Sequence, residues 1–180
     1  MAESARHASK EDHRRAAKAY REAITLRPDR PQAYHCLGVA LHNSGHKVEA
    51  VQRFLEAKER YPVGSEMWAT ATARAFIELT QEECAEVAKP EWWSDEGLKA
   101  LSARVVTAAP DYGRANEMRA IVLEGQHGAS WGAGPRSAAE LREAATHYER
   151  ASALHPAPAG KAAFASVAAL WRCKAAAMQV

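Results

Sequence analysis

The chain has 180 residues, of which 47 % are hydrophobic and 26 % are charged, with a formal net charge of +2. This balance is that of a globular protein, and the length suits one domain with a sizeable core. Residues 1–60 carry twelve Lys/Arg against eight Asp/Glu, and the remainder carries twelve against fourteen. That asymmetry is too small for a nucleic-acid footprint, which needs a clustered basic surface.

The sequence also argues against secretion and membrane insertion. The first fifteen residues lack the apolar stretch of a signal peptide. The most apolar run, residues 162–171, has ten residues, fewer than the roughly 20 that a membrane helix needs. Three widely spaced cysteines, Cys36, Cys84 and Cys173, do not form a disulfide framework. We therefore expect a cytoplasmic protein.

Four prolines divide the chain into units: Pro28, Pro62, Pro110 and Pro156. Each follows a helical pattern, and proline cannot continue the helix that precedes it. The first interval is 34 residues (62 − 28), and the next two are 48 (110 − 62) and 46 (156 − 110). The longer intervals equal the first one plus insertions of 14 and 12 residues. The spacing thus predicts a helical repeat with two insertions.

The clearest unit runs from Pro31 to Pro62. Its first helix carries Tyr34, Leu37, Gly38 and Leu41, its second carries Ala50, Phe54 and Ala57, and Gly45 takes the turn between them. This pattern and its 34-residue period resemble the tetratricopeptide repeat (TPR) family. The resemblance implies an all-α, right-handed α-solenoid of helix-turn-helix hairpins, in which stacking of neighbouring units builds a continuous core.

Weaker copies of the pattern precede and follow this unit. The second-helix set reads Ala16, Tyr20, Ala23 and Pro28 before it, and Ala144, Tyr148, Ala151 and Pro156 near the other end. Between them, Trp68, Thr72 and Ala75 take first-helix positions, and Leu98, Ser102 and Val105 take second-helix positions. The column of small residues that begins with Gly38 continues as Thr72, Ala120 and Ser166. We predict that small residues in this column receive the aromatic side chains of the second helices.

The predicted organisation is a single domain over residues 1–180. It comprises a half repeat (10–30), a full repeat (31–64), two degenerate repeats (65–112 and 113–158) and a C-terminal capping helix (159–180). The corresponding helices are expected near 10–26, 31–43, 46–60, 65–79, 94–108, 113–124, 137–154 and 160–177. Phe164, Leu170 and Trp171 are the large apolar residues of the cap.

The first insertion contains the adjacent Trp92 and Trp93. Thr80 with Glu83 resembles a capping box and predicts a short helix over 81–88, and Ser94 is expected to cap the helix that follows. The two tryptophans have two interpretations. They either cover core exposed by the insertion or serve as aromatic interface anchors for a partner, where Trp is enriched.

The second insertion, residues 125–138, is rich in glycine and contains Arg136, and Ser137 with Glu140 forms a further capping box. A glycine-rich loop before a helix can bind an anion, with Arg136 as a further ligand. The spacings of nucleotide-binding loops are not present. An ordinary connector is therefore the alternative interpretation of the loop.

Chemistry elsewhere in the sequence is weak. His35, Cys36, His42 and His46 do not have zinc-ligand spacing, and the chain has no nucleophile-elbow motif. We expect no metal, no cofactor and no catalytic residues. Among positions where some TPR domains hold a partner's terminal carboxylate, Arg114 alone has the right charge, so that mode of binding is not expected.

The resemblance implies a non-enzymatic protein–protein interaction scaffold, which binds a peptide or a partner helix in a concave groove lined by first helices. The groove candidates are Gln32, His35, Val39, His42, Asn43, Glu66, Ala69, Ala73, Phe76 and Arg114. Burial of Phe76 and Ile77 by the next helix is the competing interpretation. The alternatives for function are small anionic ligand binding or an enzymatic role at loop 125–136, and RNA binding by a helical repeat. We expect a protein or peptide partner, no nucleic acid and no membrane.

Overall fold

A computed structural model describes residues 2–127 and 131–178, including the side chains of 11–125 and 133–178. Within these residues the fold consists of eight α-helices, one 3-10 turn at Glu82–Cys84, and a two-residue antiparallel pairing of Gln126–His127 with Trp131–Gly132. The helices are α1 Ala2–Leu26, α2 Pro31–Ser44, α3 Lys47–Arg60, α4 Glu66–Leu79, α5 Asp95–Ala108, α6 Gly113–Glu124, α7 Ala138–Leu154 and α8 Pro158–Ala177. The predicted all-α class and the TPR-like helical repeat are confirmed.

Proline, glycine and serine set the helix ends as predicted. Each of the four prolines lies two residues beyond the last residue of a helix. Gly45 ends α2 in the left-handed conformation with φ of 90°, where a residue with a Cβ would be strained. Ser94 accepts a hydrogen bond from the Gly97 amide, and Ser137 and Glu140 form a complete capping box.

Two predicted helix positions are wrong. Residues 81–88 do not form an α-helix, because Thr80 is not an N-cap: it is the C-cap of α4, and its hydroxyl donates to the Ile77 carbonyl of that helix. Only the 3-10 turn follows. Helix α1 begins at Ala2 rather than near residue 10. Helix α8 begins at Pro158, close to the expected start near 160, since proline suits the first turn of a helix.

The small-residue column is buried in three of its four positions, and at Gly38 it meets an aromatic side chain of the second helix. A Cβ added to Gly38 would lie 2.7 Å from Cε1 of Phe54, whose ring is fully buried. Thr72 and Ala120 are also fully buried. Ser166 is exposed, contrary to the prediction, because no described helix packs on that side of α8. The column therefore works as a packing surface in the first three units.

The first insertion folds back onto the core. The Trp93 ring lies 5.4 Å from the Phe76 ring and 5.7 Å from the Trp92 ring. Both tryptophans are half-buried, and Lys89 donates to the carbonyls of Leu79 and Cys84. The insertion thus covers the C-terminal half of α4. Lys89 also provides a donor for the Leu79 carbonyl, which as the last carbonyl of α4 has no partner within the helix.

Candidate functional site

The predicted groove residues divide into accessible and buried sets. Gln32, Asn43 and Glu66 are exposed, and Val39, His42 and Arg114 are half-buried. Ala69, Ala73 and Phe76 are 0 % exposed, so their assignment to a partner-binding groove is wrong. His35 retains 8 % exposure and belongs to the packed interior as well.

The burial of α4 has a clear physical cause. This helix contacts α3, α5 and α6, and the Trp92–Trp93 segment closes over Phe76. Ten of its fourteen residues are buried as a result. A helix that is covered on several sides must be apolar around most of its circumference. The repeat numbering could not reveal this, because the covering segment lies outside the repeat.

His35 illustrates how the interior of this face is built. Its ring packs edge-on against Phe54 with the ring centroids 5.6 Å apart. Burial, together with the positive charge of Arg74, lowers the pKa of His35 to about 4. The imidazole is therefore neutral at physiological pH. It serves as a packing residue rather than as a charged ligand.

His42 has a defined partner on the next unit. Its Nδ1 lies 2.7 Å from Oε1 of Glu78, a carboxylate with only 3 % of its side chain exposed. This contact joins α2 to α4 across the face on which both helices lie. His42 is half-buried, and its ring connects two adjacent units through the contact with Glu78.

Arg74 lies at the centre of the face shared by α2, α4 and α6. Its guanidinium is 5.7 Å from the Phe54 ring centroid, and its charge acts on both His35 and Tyr112. One side chain of α4 therefore reaches α2 on one side and the start of α6 on the other. We name this surface the first-helix face, defined by His35, Arg74, Tyr112 and Arg114.

A cavity of about 510 Å³ opens on the first-helix face. It lies between α4, the start of α6, the end of α7 and the start of α8. The lining residues include Arg74, Asp111, Tyr112, Gly113, Arg114, Glu117, Leu154, His155 and Phe164. Its volume is in the range of about 300–1,000 Å³ that is typical of ligand sites.

Polar atoms in this cavity lack partners. Nε of Arg74 and the hydroxyl oxygen of Tyr112 are buried and have no hydrogen bond of normal geometry within the described residues. Burial raises the pKa of Tyr112, despite the neighbouring charges of Arg74 and Arg114, so its hydroxyl keeps its proton. Among the described residues, neither arginine has a carboxylate within ion-pair distance. Buried polar groups without partners call for an explanation, and a bound polar group is one.

Sequence reasoning identified Arg114 but missed Arg74 and Tyr112. Arg74 occupies a position to which the family pattern assigns no role. One signal was present: Arg74 is the only charged residue between Glu66 and Glu78. A charged side chain within the apolar stretch of a largely buried helix must have a polar environment. Tyr112 gave no comparable signal, because a tyrosine before a helix is common in the core.

The glycine-rich insertion does not offer Arg136 as an anion ligand. The Arg136 side chain is only 5 % exposed and pairs with Asp95, while its Nη2 also donates to the Val122 carbonyl. This arginine ties the insertion to α5 and α6. Residues 128–130 of the predicted loop lie outside the described residues.

In the part of the chain that the structure describes, no group of three or more His, Cys, Asp and Glu side chains is placed to hold a metal ion. Across the same residues, no helix is both long enough and apolar enough to cross a membrane.

The arrangement of successive helix pairs with a cavity on one face defines an α-helical repeat protein. Residues 6–45 match the family model described as TPR repeat. The match covers most of α1 and all of α2 and ends at the turn residue Gly45. The match supports the resemblance drawn from the sequence. TPR repeats generally mediate protein–protein interactions and are typically non-enzymatic, so the match also supports an interaction scaffold in general terms. A comparison with curated proteins gives no match.

Proposed function

We propose that the chain is a non-enzymatic scaffold that binds an extended peptide or a partner helix along the first-helix face. The cavity between Arg74, Tyr112 and Arg114 is the observation that carries this proposal. It is concave, partly polar and bordered by Phe164 and Leu154, so it combines an apolar wall with groups that can fix orientation. We further propose a cytoplasmic location, with no nucleic acid and no membrane as partner.

The accessible part of α2 extends the proposed surface. Gln32 and Asn43 are exposed and Val39 is half-buried along this helix. Together with the cavity they would present a surface longer than one repeat, which suits an extended ligand. Trp92 and Trp93 remain candidates for a separate aromatic contact, although half of their surface already packs against the core.

The proposal can be tested with selected peptides and a matched pair of substitutions. Peptides of twelve residues would be selected from a random display library on the purified chain, and their Kd measured by fluorescence polarisation. Gln32→Arg and Asn43→Arg, tested singly and together, alter α2, whereas Gln52→Arg makes one such change at an exposed position of α3.

We expect the α2 substitutions to weaken binding by about tenfold or more, and Gln52→Arg to change it by less than about twofold. Circular dichroism would verify that all variants fold. Peptides whose affinity responds to Gln52→Arg and not to the α2 substitutions would place the binding surface elsewhere and contradict the proposal.

A further inference from the structure

The cavity on the first-helix face carries an unusual set of hydrogen-bond donors. The Arg74 guanidinium and the Tyr112 hydroxyl adjoin each other at this cavity, and Nε of Arg74 and the hydroxyl oxygen of Tyr112 are buried without a hydrogen bond of normal geometry. Arg114 adds a second positive charge from the first turn of α6. Two guanidinium groups that line one cavity, with no carboxylate at ion-pair distance from either among the described residues, can receive an oxyanion.

The start of α6 adds to the same field. Tyr112 is the N-cap residue, and its side chain makes no capping hydrogen bond. The first turn of a helix carries unsatisfied amide groups and a partial positive charge. Gly113 and Arg114, the first two residues of this twelve-residue helix, both line the cavity. The partial positive charge of the helix start adds to that of the two arginines, and it would not form an anion site without them.

The acidic residues of the cavity limit the charge of its occupant. Asp111 and Glu117 line the cavity together with Arg74 and Arg114, so the lining carries two positive and two negative Asp, Glu and Arg side chains. A phosphate dianion would be repelled by these carboxylates, whereas a monoanion can sit close to the arginines at lower cost. A carboxylate is therefore the better match in charge.

We infer that the cavity receives an Asp or Glu side chain of a bound peptide, with its carboxylate held by Arg74, the Tyr112 hydroxyl and Arg114. The apolar side of the same cavity, formed by Leu154 and Phe164, would contact the methylene groups or a neighbouring apolar residue of that peptide. This inference rests on the proposed function, which it makes more specific by naming the chemistry of the partner.

The test uses short probes rather than an unknown partner. A five-residue peptide with both ends blocked and one central Glu is titrated into the full chain labelled with ¹⁵N, and the isosteric Gln peptide is titrated in parallel. The Nε–Hε resonance of Arg74 and the backbone amides of Gly113 and Arg114 report directly on the cavity. Inorganic phosphate and a peptide with a free C-terminus are the two further arms.

We expect saturable shifts at all three groups with the Glu peptide and none with the Gln peptide. Arg74→Gln should weaken the binding by about 10–100-fold, the range for loss of a charged hydrogen bond. Arg114→Gln should weaken binding of the Glu peptide less than Arg74→Gln does. Tyr112→Phe should also weaken this binding, although it leaves the charge of the cavity unchanged. Arg27→Gln makes the same change as Arg74→Gln at an exposed position and should leave binding as it is.

Several results would overturn the inference: equal shifts with the Glu and Gln peptides, binding that survives both arginine substitutions, or saturation by phosphate alone. A preference for the free C-terminus over the Glu side chain would also overturn it. The proposed function fails separately. If selected peptides bind through α2 and the Glu probe gives no shift, the scaffold proposal stands and the carboxylate inference falls. If no selected peptide binds and the Glu probe does, the cavity takes a carboxylate but the extended-peptide scaffold is contradicted.

Discussion

The contact between Gly38 and Phe54 gives the most direct test of how the units pack. A Cβ placed on Gly38 would lie 2.7, 2.8 and 3.0 Å from three carbons of the Phe54 ring, which is fully buried. Replacing Gly by Ala inside a helix ordinarily gains about 1 kcal/mol. Overpacking a buried site costs about 1–3 kcal/mol. We therefore expect Gly38→Ala to lower the free energy of unfolding by about 1 kcal/mol.

Removing the ring should reverse the sign of this effect. Phe54→Ala should itself cost about 3–5 kcal/mol, because it leaves a cavity in the core. In that background Gly38→Ala meets no ring and should raise the free energy of unfolding by about 1 kcal/mol, its ordinary helix-propensity gain. The coupling between the two positions would then be about 2 kcal/mol, the size expected of residues in contact.

Urea denaturation followed by circular dichroism at 222 nm measures all four proteins of this double-mutant cycle. Gly113→Ala provides the control, since a Cβ there would lie 3.6 Å from the nearest atom, an ordinary contact. It should be neutral or slightly stabilising. If Gly38→Ala stabilises the protein equally with and without the Phe54 ring, then the close contact between residue 38 and that ring is not the reason for glycine at this position.

Three further predictions concern caps, protonation and a buried charge. Ser137→Ala should cost about 1 kcal/mol in urea denaturation, since it removes the capping box of α7, whereas Ser166→Ala on exposed α8 should be neutral. Burial is the main cause that lowers the pKa of both His35 and His147 to about 4 from 6.5. The stability that these two neutral histidines contribute is therefore full above pH 6.5 and is lost as the pH falls toward 4. The double variant His35→Gln/His147→Gln should show a urea midpoint that depends less on pH between 6.5 and 4. Asp95→Asn should cost about 1.5–3 kcal/mol, because the buried Arg136 loses the charged acceptor of both its Nη groups, and a thermal melt in which the variant matches the wild type would contradict this role.

Much of the fold could be predicted because local chemistry decides it. Proline after a helix, Gly45 in a left-handed turn, and Ser94 and Ser137 as caps act within a few residues of one another, so their effect can be derived from the sequence alone. The failed cap at Thr80 shows the limit of this reasoning. Its hydroxyl has a nearby carbonyl at the end of α4 as an alternative partner, and the sequence pattern does not distinguish the two.

The candidate site was harder to predict because it depends on contacts between distant segments. Phe76 was assigned to an accessible groove, but Trp93, seventeen residues further along, covers it. Arg74 and Tyr112 come together only because α4 lies against α6. Repeat numbering describes the surface of a regular array, and it fails where an insertion packs onto that array.

The insertion that carries Trp92 and Trp93 also affects how the molecule unfolds. In an ordinary array of stacked units each one touches only its neighbours, so the ends can open while the middle stays closed. Here Lys58 of α3 lies over the Trp92 ring, and the Trp93 ring packs against Phe76 of α4. One segment therefore contacts helices of two successive units. Amide hydrogens of α4 should consequently exchange with solvent only when the whole middle of the protein opens. Deleting this segment would convert a single cooperative block into units that come apart one at a time.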